Sequence, residues 1–157
     1  VTVGNQTFAA EVEIAAPAER VWEILTDFPA YPVWNPFTRT MHALLVPGEA
    51  VRMKLDLGWT TAHQVATIRT VDPPGLIVWD VVVGARFLLR AERTQRVVPT
   101  APNRCRYVTE DVMVGPLAIL VRLLFGRALE RGFSGMAQAL RARAESSPAG
   151  RDIPDRG

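Results

Sequence analysis

The stretch Leu117–Glu145, LAILVRLLFGRALERGFSGMAQALRARAE, decides the fold. It follows Gly115-Pro116, where the alternating pattern of the preceding chain stops. Leu117, Leu120, Val121, Leu124, Ala128, Met136 and Leu140 recur at helical intervals, which predicts one helix of about eight turns. Its most apolar part, Leu117–Phe125, is interrupted by Arg122 and falls far short of the ~20 residues that cross a bilayer. Gly126, Gly132 and Gly135 lie inside the helix, and each costs ~1 kcal/mol relative to alanine. Either they let the helix approach a sheet closely, or they leave room for a ligand.

Upstream, the chain reads as strands. Thr7–Ile14 alternates, with Phe8, Ala10, Val12 and Ile14 on one face. Ala16-Pro17-Ala18-Glu19-Arg20 opens a helix, with proline and an acidic residue suited to its first turn. That helix buries Val21, Ile24, Leu25 and Phe28 and ends at Asp27-Phe28-Pro29. Ala30–Pro36, rich in proline and aromatics, allows one helical turn and then a bend. Phe37–Val46 and Val51–Leu57 form a hairpin around Pro47-Gly48-Glu49. Thr60–Val71, Leu76–Val83, Phe87–Val98 and Cys105–Val114 complete a meander, with turns at Gly58, Asp72–Gly75 and Pro99–Arg104.

The fold class is therefore α+β: a curved antiparallel sheet of about seven strands wrapped around one long C-terminal helix, with two short helices near the N-terminus. One helix fills such a trough poorly, so an internal void is expected. The chain reads as a single domain over 1–145, followed by a flexible polar tail over 146–157.

Composition narrows the function. The 157 residues are 48% hydrophobic and 22% charged, with 18 basic and 16 acidic side chains. This is an ordinary globular chain, which excludes disorder as its main state. Cys105 is the only cysteine, so there is no disulfide scaffold, and with two separated histidines a zinc site is not expected. Residues 86–106 carry six arginines against Glu92, but no base-stacking aromatics are interleaved, so nucleic acid is not an expected partner. No phosphate loop or dinucleotide motif is present, so no cofactor is implied. Gly132-Phe133-Ser134-Gly135 departs from the G-x-S-x-G nucleophile elbow and lies within a helix. Val1–Asn5 does not read as a secretory signal, so a cytoplasmic location is expected, with no stable membrane insertion.

Ala16–Phe28, followed by Tyr31-Pro32-Val33-Trp34-Asn35-Pro36-Phe37, resembles the SRPBCC or START-like superfamily, including its polyketide cyclase/dehydratases, coenzyme-Q-binding proteins and birch-pollen allergen. Asp72-Pro73-Pro74 with Trp79, and Gly132–Glu145, are similar to later segments of that group. The resemblance spans roughly 8–145. It implies the helix-grip fold and a hydrophobic cavity between sheet and helix. Where many bacterial members carry His-x-Phe, this chain has Arg93 and Gln95.

Alternation over Arg106–Val114 puts Tyr107, Thr109, Asp111 and Met113 on one face. Met113 lies next to the start of the long helix, so this face is expected to point inward. Asp111 is the candidate general base, its pKa raised by burial. Tyr107 and Arg93 are candidate oxyanion partners. The alternative for Asp111 is a structural pair with an arginine such as Arg93. Ligand-lining candidates are Trp34, Asn35, Trp59, His63, Trp79, Gln95, Thr109, Met113, Leu120 and Leu124. Asn35 alternatively caps the local turn, and His63 alternatively sits on the surface. Two functions follow: cyclisation or dehydration of a ketone-bearing apolar substrate, or non-catalytic carriage of a lipid or quinone. For the carrier, Leu117–Phe125 would form the cavity mouth or a membrane-touching face.

Overall fold

The computed structural model describes residues 5–85 and 87–146. The expected tail lies outside these beyond Ser146, as does the N-terminal segment before Asn5. Seven strands form one sheet: β1 Gln6–Ile14, β2 Thr38–His42, β3 Ala50–Asp56, β4 Thr61–Asp72, β5 Leu76–Val82, β6 Arg90–Ala101 and β7 Arg104–Val114. Their order is β1-β7-β6-β5-β4-β3-β2, with every neighbouring pair antiparallel. Helices α1 Ala18–Thr26 and α2 Tyr31–Trp34 sit between β1 and β2, and α3 Leu117–Glu145 closes the chain.

Two strands differ from their expected bounds by more than one residue. β2 ends at His42 rather than Val46, because the following loop pairs elsewhere: Gly48 N–H donates to Ile68 O at 2.8 Å and Ile68 N–H to Glu49 O at 2.9 Å. β6 starts at Arg90 rather than Phe87. The β5–β6 connection is tied by Val83 N–H to Leu89 O (3.1 Å), and Leu117 N–H reaches Leu88 O (3.1 Å). That loop therefore sits against the start of α3.

Register arranges the concave face in rows. Phe8, Asp111, Arg93, Trp79 and Ile68 lie side by side across β1, β7, β6, β5 and β4. Met113, Ala91, Val81 and Ala66 form the row on one side. Thr109, Gln95 and Ile77 form the row on the other. Against these rows α3 buries Ala128, Leu129, Phe133, Met136, Ala137 and Leu140. Each large apolar side chain so buried contributes about 1.5–3 kcal/mol.

The two ends of the chain are fastened together. Arg20 on α1 donates through Nε to Ala144 O at 2.8 Å and through a terminal nitrogen to Ser146 O at 3.0 Å. These are carbonyls at the end of α3, whose negative dipole end suits a cation. Glu145 Oε1 in turn accepts Ala15 N–H at 2.9 Å.

Gly132 answers the question its position raised. A Cβ there would stand 2.3 Å from Cδ2 of Phe37, a buried ring packed edge-on against Phe133 at 5.2 Å. Its role is close approach. Gly132→Ala should destabilise the protein by about 1–2 kcal/mol, overpacking outweighing the helix-propensity gain. Thermal unfolding tests this, and an unchanged Tm would mean that the Phe37 ring swings aside freely.

Candidate functional site

The trough is solid at one end and hollow at the other. The solid end is filled by polar and aromatic side chains. Arg93, buried on β6, lays its guanidinium over Phe133 (4.7 Å) and Trp79 (5.5 Å). Its Nε donates to Thr109 Oγ1 at 3.1 Å, and a terminal nitrogen lies 3.3 Å from Met136 Sδ. Tyr107 O–H donates to Gln95 Oε1 at 2.5 Å, and burial raises the pKa of this phenol. Tyr31 O–H bonds the Leu25 carbonyl, and burial likewise pushes its pKa up.

The hollow end is a cavity of about 190 Å³. Leu55 and Leu57 wall it from the β3 side, Ala62 and Gln64 from β4, Val81, Ala91 and Met113 from the sheet centre, and Leu89 from just before β6. Val121, Phe125 and Leu129 of α3 close the top. At the mouth the Trp59 ring stacks on Phe125, with centroids 5.6 Å apart and planes 8° apart. A more open cleft of about 320 Å³ lies beyond Leu57, bordered by Phe37, Arg131, Gly132 and Gly135.

One carboxylate faces the enclosed cavity. Asp111 lines it, and its Oδ1 is buried with no hydrogen-bond partner among the described residues. Arg93 is its direct cross-strand neighbour, yet the guanidinium is turned toward Thr109 and Met136, and no ion pair forms within 4 Å. Two effects compete on this carboxyl. Burial raises its pKa and the nearby Arg93 charge lowers it; burial wins, and the pKa stands at about 6. A carboxyl near that value takes and returns protons close to neutral pH.

The expected site residues separate into groups. Asp111 and Met113 line the cavity. Tyr107, Thr109, Arg93, Gln95 and Trp79 face inward as alternation requires, but belong to the packed end. Tyr107 and Asp111 share a face four residues apart on one strand, a separation of about 13 Å. Tyr107, Arg93 and Asp111 therefore do not converge on one point. Asn35 is buried and caps its turn: Oδ1 accepts the Phe37 and Thr38 N–H groups at 3.0 and 2.9 Å. Trp34 is half-buried beside Tyr31, its indole N–H without an acceptor among the described residues.

Three lining expectations are corrected. His63 is exposed, because β4 turns Ala62, Gln64 and Ala66 inward and its odd-numbered neighbours outward. Leu120 and Leu124 stand in solvent, 50% and 61% exposed. Val121 and Phe125, one residue further along, take their places on the cavity wall. Gln64, Val121, Phe125 and Leu129 went unnoticed as site residues. The alternation of β4 carried the signal for Gln64, whereas α3 is apolar all round in its first turns and its periodicity leaves the phase open. Cys105 is fully buried, and burial raises its thiol pKa to about 11, which keeps it protonated.

Comparison with known proteins agrees with this architecture. The zhuI aromatase/cyclase from Streptomyces sp. R1128 superposes with a TM-score of 0.73 at 20% identity, covering 90% of this chain and 94% of that one. A truncated norcoclaurine synthase from Thalictrum flavum gives 0.68 at 17% identity, covering 93% and 97%. A START superfamily protein from Mycobacterium smegmatis gives 0.64 at 24% identity, covering 88% and 97%. In sequence, the oxopyrrolidines biosynthesis cluster protein O of Penicillium oxalicum is 24% identical over 77% of each chain. The family described as "Polyketide cyclase / dehydrase and lipid transport" matches residues 5–145. With the curled sheet, the gripping helix and that match across nearly its whole length, the chain belongs to the polyketide cyclase/dehydrase and lipid-transport family.

Proposed function

We propose that the chain binds a small apolar, carbonyl-bearing molecule in the Asp111 cavity and that Asp111 shuttles a proton for its cyclisation or dehydration. The observation that carries this reading is a buried carboxylate oxygen, unpartnered among the described residues, facing a cavity whose wall is apolar but for Gln64. Ionised Asp111 takes a proton from carbon α to a carbonyl, leaving an enolate. The enolate carbon attacks a second carbonyl of the same molecule and closes a ring. The alkoxide so formed takes that proton back from Asp111. For water loss, ionised Asp111 takes a second α-proton, a C–C double bond forms as the C–O bond breaks, and Asp111 returns this proton to the departing hydroxyl, which leaves as water. Gln64, the other polar side chain on the cavity wall, supplies an amide donor to the carbonyl oxygen. The apolar walls supply the fold of the substrate, which is where most of the rate gain in an intramolecular closure arises.

The cavity is smaller than the ~300–1,000 Å³ common for drug-sized ligands. It suits a one-ring product, and a longer chain requires the Trp59–Phe125 stack to part.

Hydrogen exchange tests the reading without the natural substrate. In D2O an apolar cyclic ketone should exchange its α-hydrogens faster with the protein than without, by NMR. The rate should rise as pH climbs through about 6, because the base must be ionised. Asp111→Asn should abolish the excess rate and keep the binding. One observation favours a carrier instead: Tyr107 and Arg93 stay out of the cavity, leaving Asp111 without a second charged or phenolic partner there. Binding with no excess exchange at any pH would decide for carriage.

A further inference from the structure

The Phe37 ring requires glycine at position 132 of α3, but nothing requires it at 135. A Cβ at Gly135 would meet nothing closer than Pro36 Cγ at 3.8 Å, an ordinary contact. Glycine in a helix interior is disfavoured relative to alanine, so packing gives no reason for it here. What the bare Cα does is keep open the cleft beyond Leu57. Ala128, Arg131, Gly132 and Gly135 recur at i, i+3, i+4 and i+7 and form the α3 wall of that cleft. The end of β3 and the turn after it form another wall, through Asp56, Leu57 and Gly58. Asp56 N–H donates to Phe37 O at 2.8 Å, which fixes this wall against the chain entering β2.

The cleft carries one charge of each sign, Asp56 from the sheet and Arg131 from the helix. The two form no ion pair with each other or with any other described residue. Asp56 Oδ1 accepts Gly58 N–H at 2.8 Å, which orients the carboxylate. The neighbouring charges on α3 are Arg127, one turn back, and Glu130, whose carboxylate lies 3.3 Å from Arg122. The rest of the cleft wall is apolar side chain or bare glycine. An anion bound here would sit near the Asp56 carboxylate and a cation near the Arg131 guanidinium, each repelled by one of them. A molecule that carries both signs satisfies both: its carboxylate accepts from the guanidinium, and its ammonium donates to Asp56.

We infer that this cleft binds an amphoteric small molecule of the amino-acid class, with its carboxylate on Arg131, its ammonium on Asp56 and its apolar side chain against Phe37, Leu57 and Ala128. Its volume of about 320 Å³ suits so small a guest. Leu57 divides the cleft from the Asp111 cavity, and the site does not depend on the chemistry proposed there.

L-phenylalanine is the probe, with phenylacetate and phenethylamine as analogues that each lack one charge. A titration followed by amide NMR should show saturable binding of L-phenylalanine with a dissociation constant of about 1 mM or below. The largest shifts should fall at Gly58, Arg131 and Gly135. Each analogue should bind at least ~tenfold more weakly, because one charge-assisted hydrogen bond is lost and the unmatched charge stays beside the ligand. Arg131→Gln should remove the preference over phenethylamine, and Asp56→Asn the preference over phenylacetate. Asparagine keeps the oxygen that accepts Gly58 N–H, so the turn is preserved. Gly135→Leu should fill the cleft and weaken binding at least ~tenfold, with circular dichroism unchanged. Arg127→Gln and Asp111→Asn should both bind like the wild type, which separates this site from the Asp111 cavity. Three results would overturn the inference: no saturable binding up to about 10 mM; an analogue with one charge that binds as tightly as L-phenylalanine; or binding that Arg131→Gln and Gly135→Leu both leave unchanged.

Discussion

Asp111→Asn should gain stability relative to the wild type as pH rises, while losing the proposed proton transfer. The folded protein keeps a proton on Asp111 up to about pH 6, whereas the unfolded chain releases it near 3.8. Between those values the native state binds the extra proton, so stability falls as pH climbs through the window. The loss is complete above about pH 6. A shift of this size amounts to on the order of 3 kcal/mol, at ~1.4 kcal/mol per pKa unit. Asparagine has nothing to ionise, so the stability gap between variant and wild type should move in the variant's favour by that order between pH 4 and pH 8. Using the difference between two pH values removes the constant cost of burying the amide. Paired urea titrations at pH 4 and pH 8 measure it. A gap that does not change with pH would show that Asp111 is solvated and ordinary. The same variant should lose at least ~100-fold in catalysed α-hydrogen exchange, the usual scale for a general base. Stability gained where activity is lost marks a strained group kept for function.

Much of this was legible in the sequence, and the failures have physical causes. Leu117–Glu145 matches α3 at both ends, because Gly115-Pro116 stops the sheet and the polar last turn marks the finish. The parity of β7 was legible too: Met113, next to the start of α3, fixed Tyr107, Thr109 and Asp111 as inward. Parity gives a face and not a place along it. Asp111 borders the hollow while Tyr107, two rows away, is locked to Gln95 in the packed end. What divides the trough is the bulk of Arg93, Trp79, Phe133 and Met136 meeting across it, a tertiary fact no single strand records. Leu120 and Leu124 were misplaced for a different reason: where both faces of a helix are apolar, hydrophobic periodicity does not distinguish the side against the sheet from the side facing solvent. His63 follows from strand phase, since β4 sets Gln64 inward and its neighbour outward.

Gly115→Ala should produce the largest loss of stability. Gly115 adopts φ +120°, a conformation an L-residue resists, and an added Cβ would stand 2.4 Å from the Leu88 carbonyl oxygen and 2.8 Å from its carbon. Unlike the ring facing Gly132, this obstacle is backbone, and it is held in place because the same Leu88 carbonyl accepts Leu117 N–H at the start of α3. The clash therefore cannot be relieved by a rotamer change. Either the segment at Leu88 lifts away or α3 shifts along its axis, and both movements displace the cavity wall at Leu89, Val83 and Val121. Backbone strain and overpacking together cost about 3–5 kcal/mol, which for a chain of this length lowers Tm by on the order of 10 °C. Binding of an apolar ligand should weaken in the fraction that remains folded, because the wall that yields belongs to the cavity. Calorimetry with and without ligand separates the two effects. A variant that melts like the wild type would mean that the turn from β7 into α3 relaxes without moving Leu88, and the tie between that segment and the cavity would fail with it.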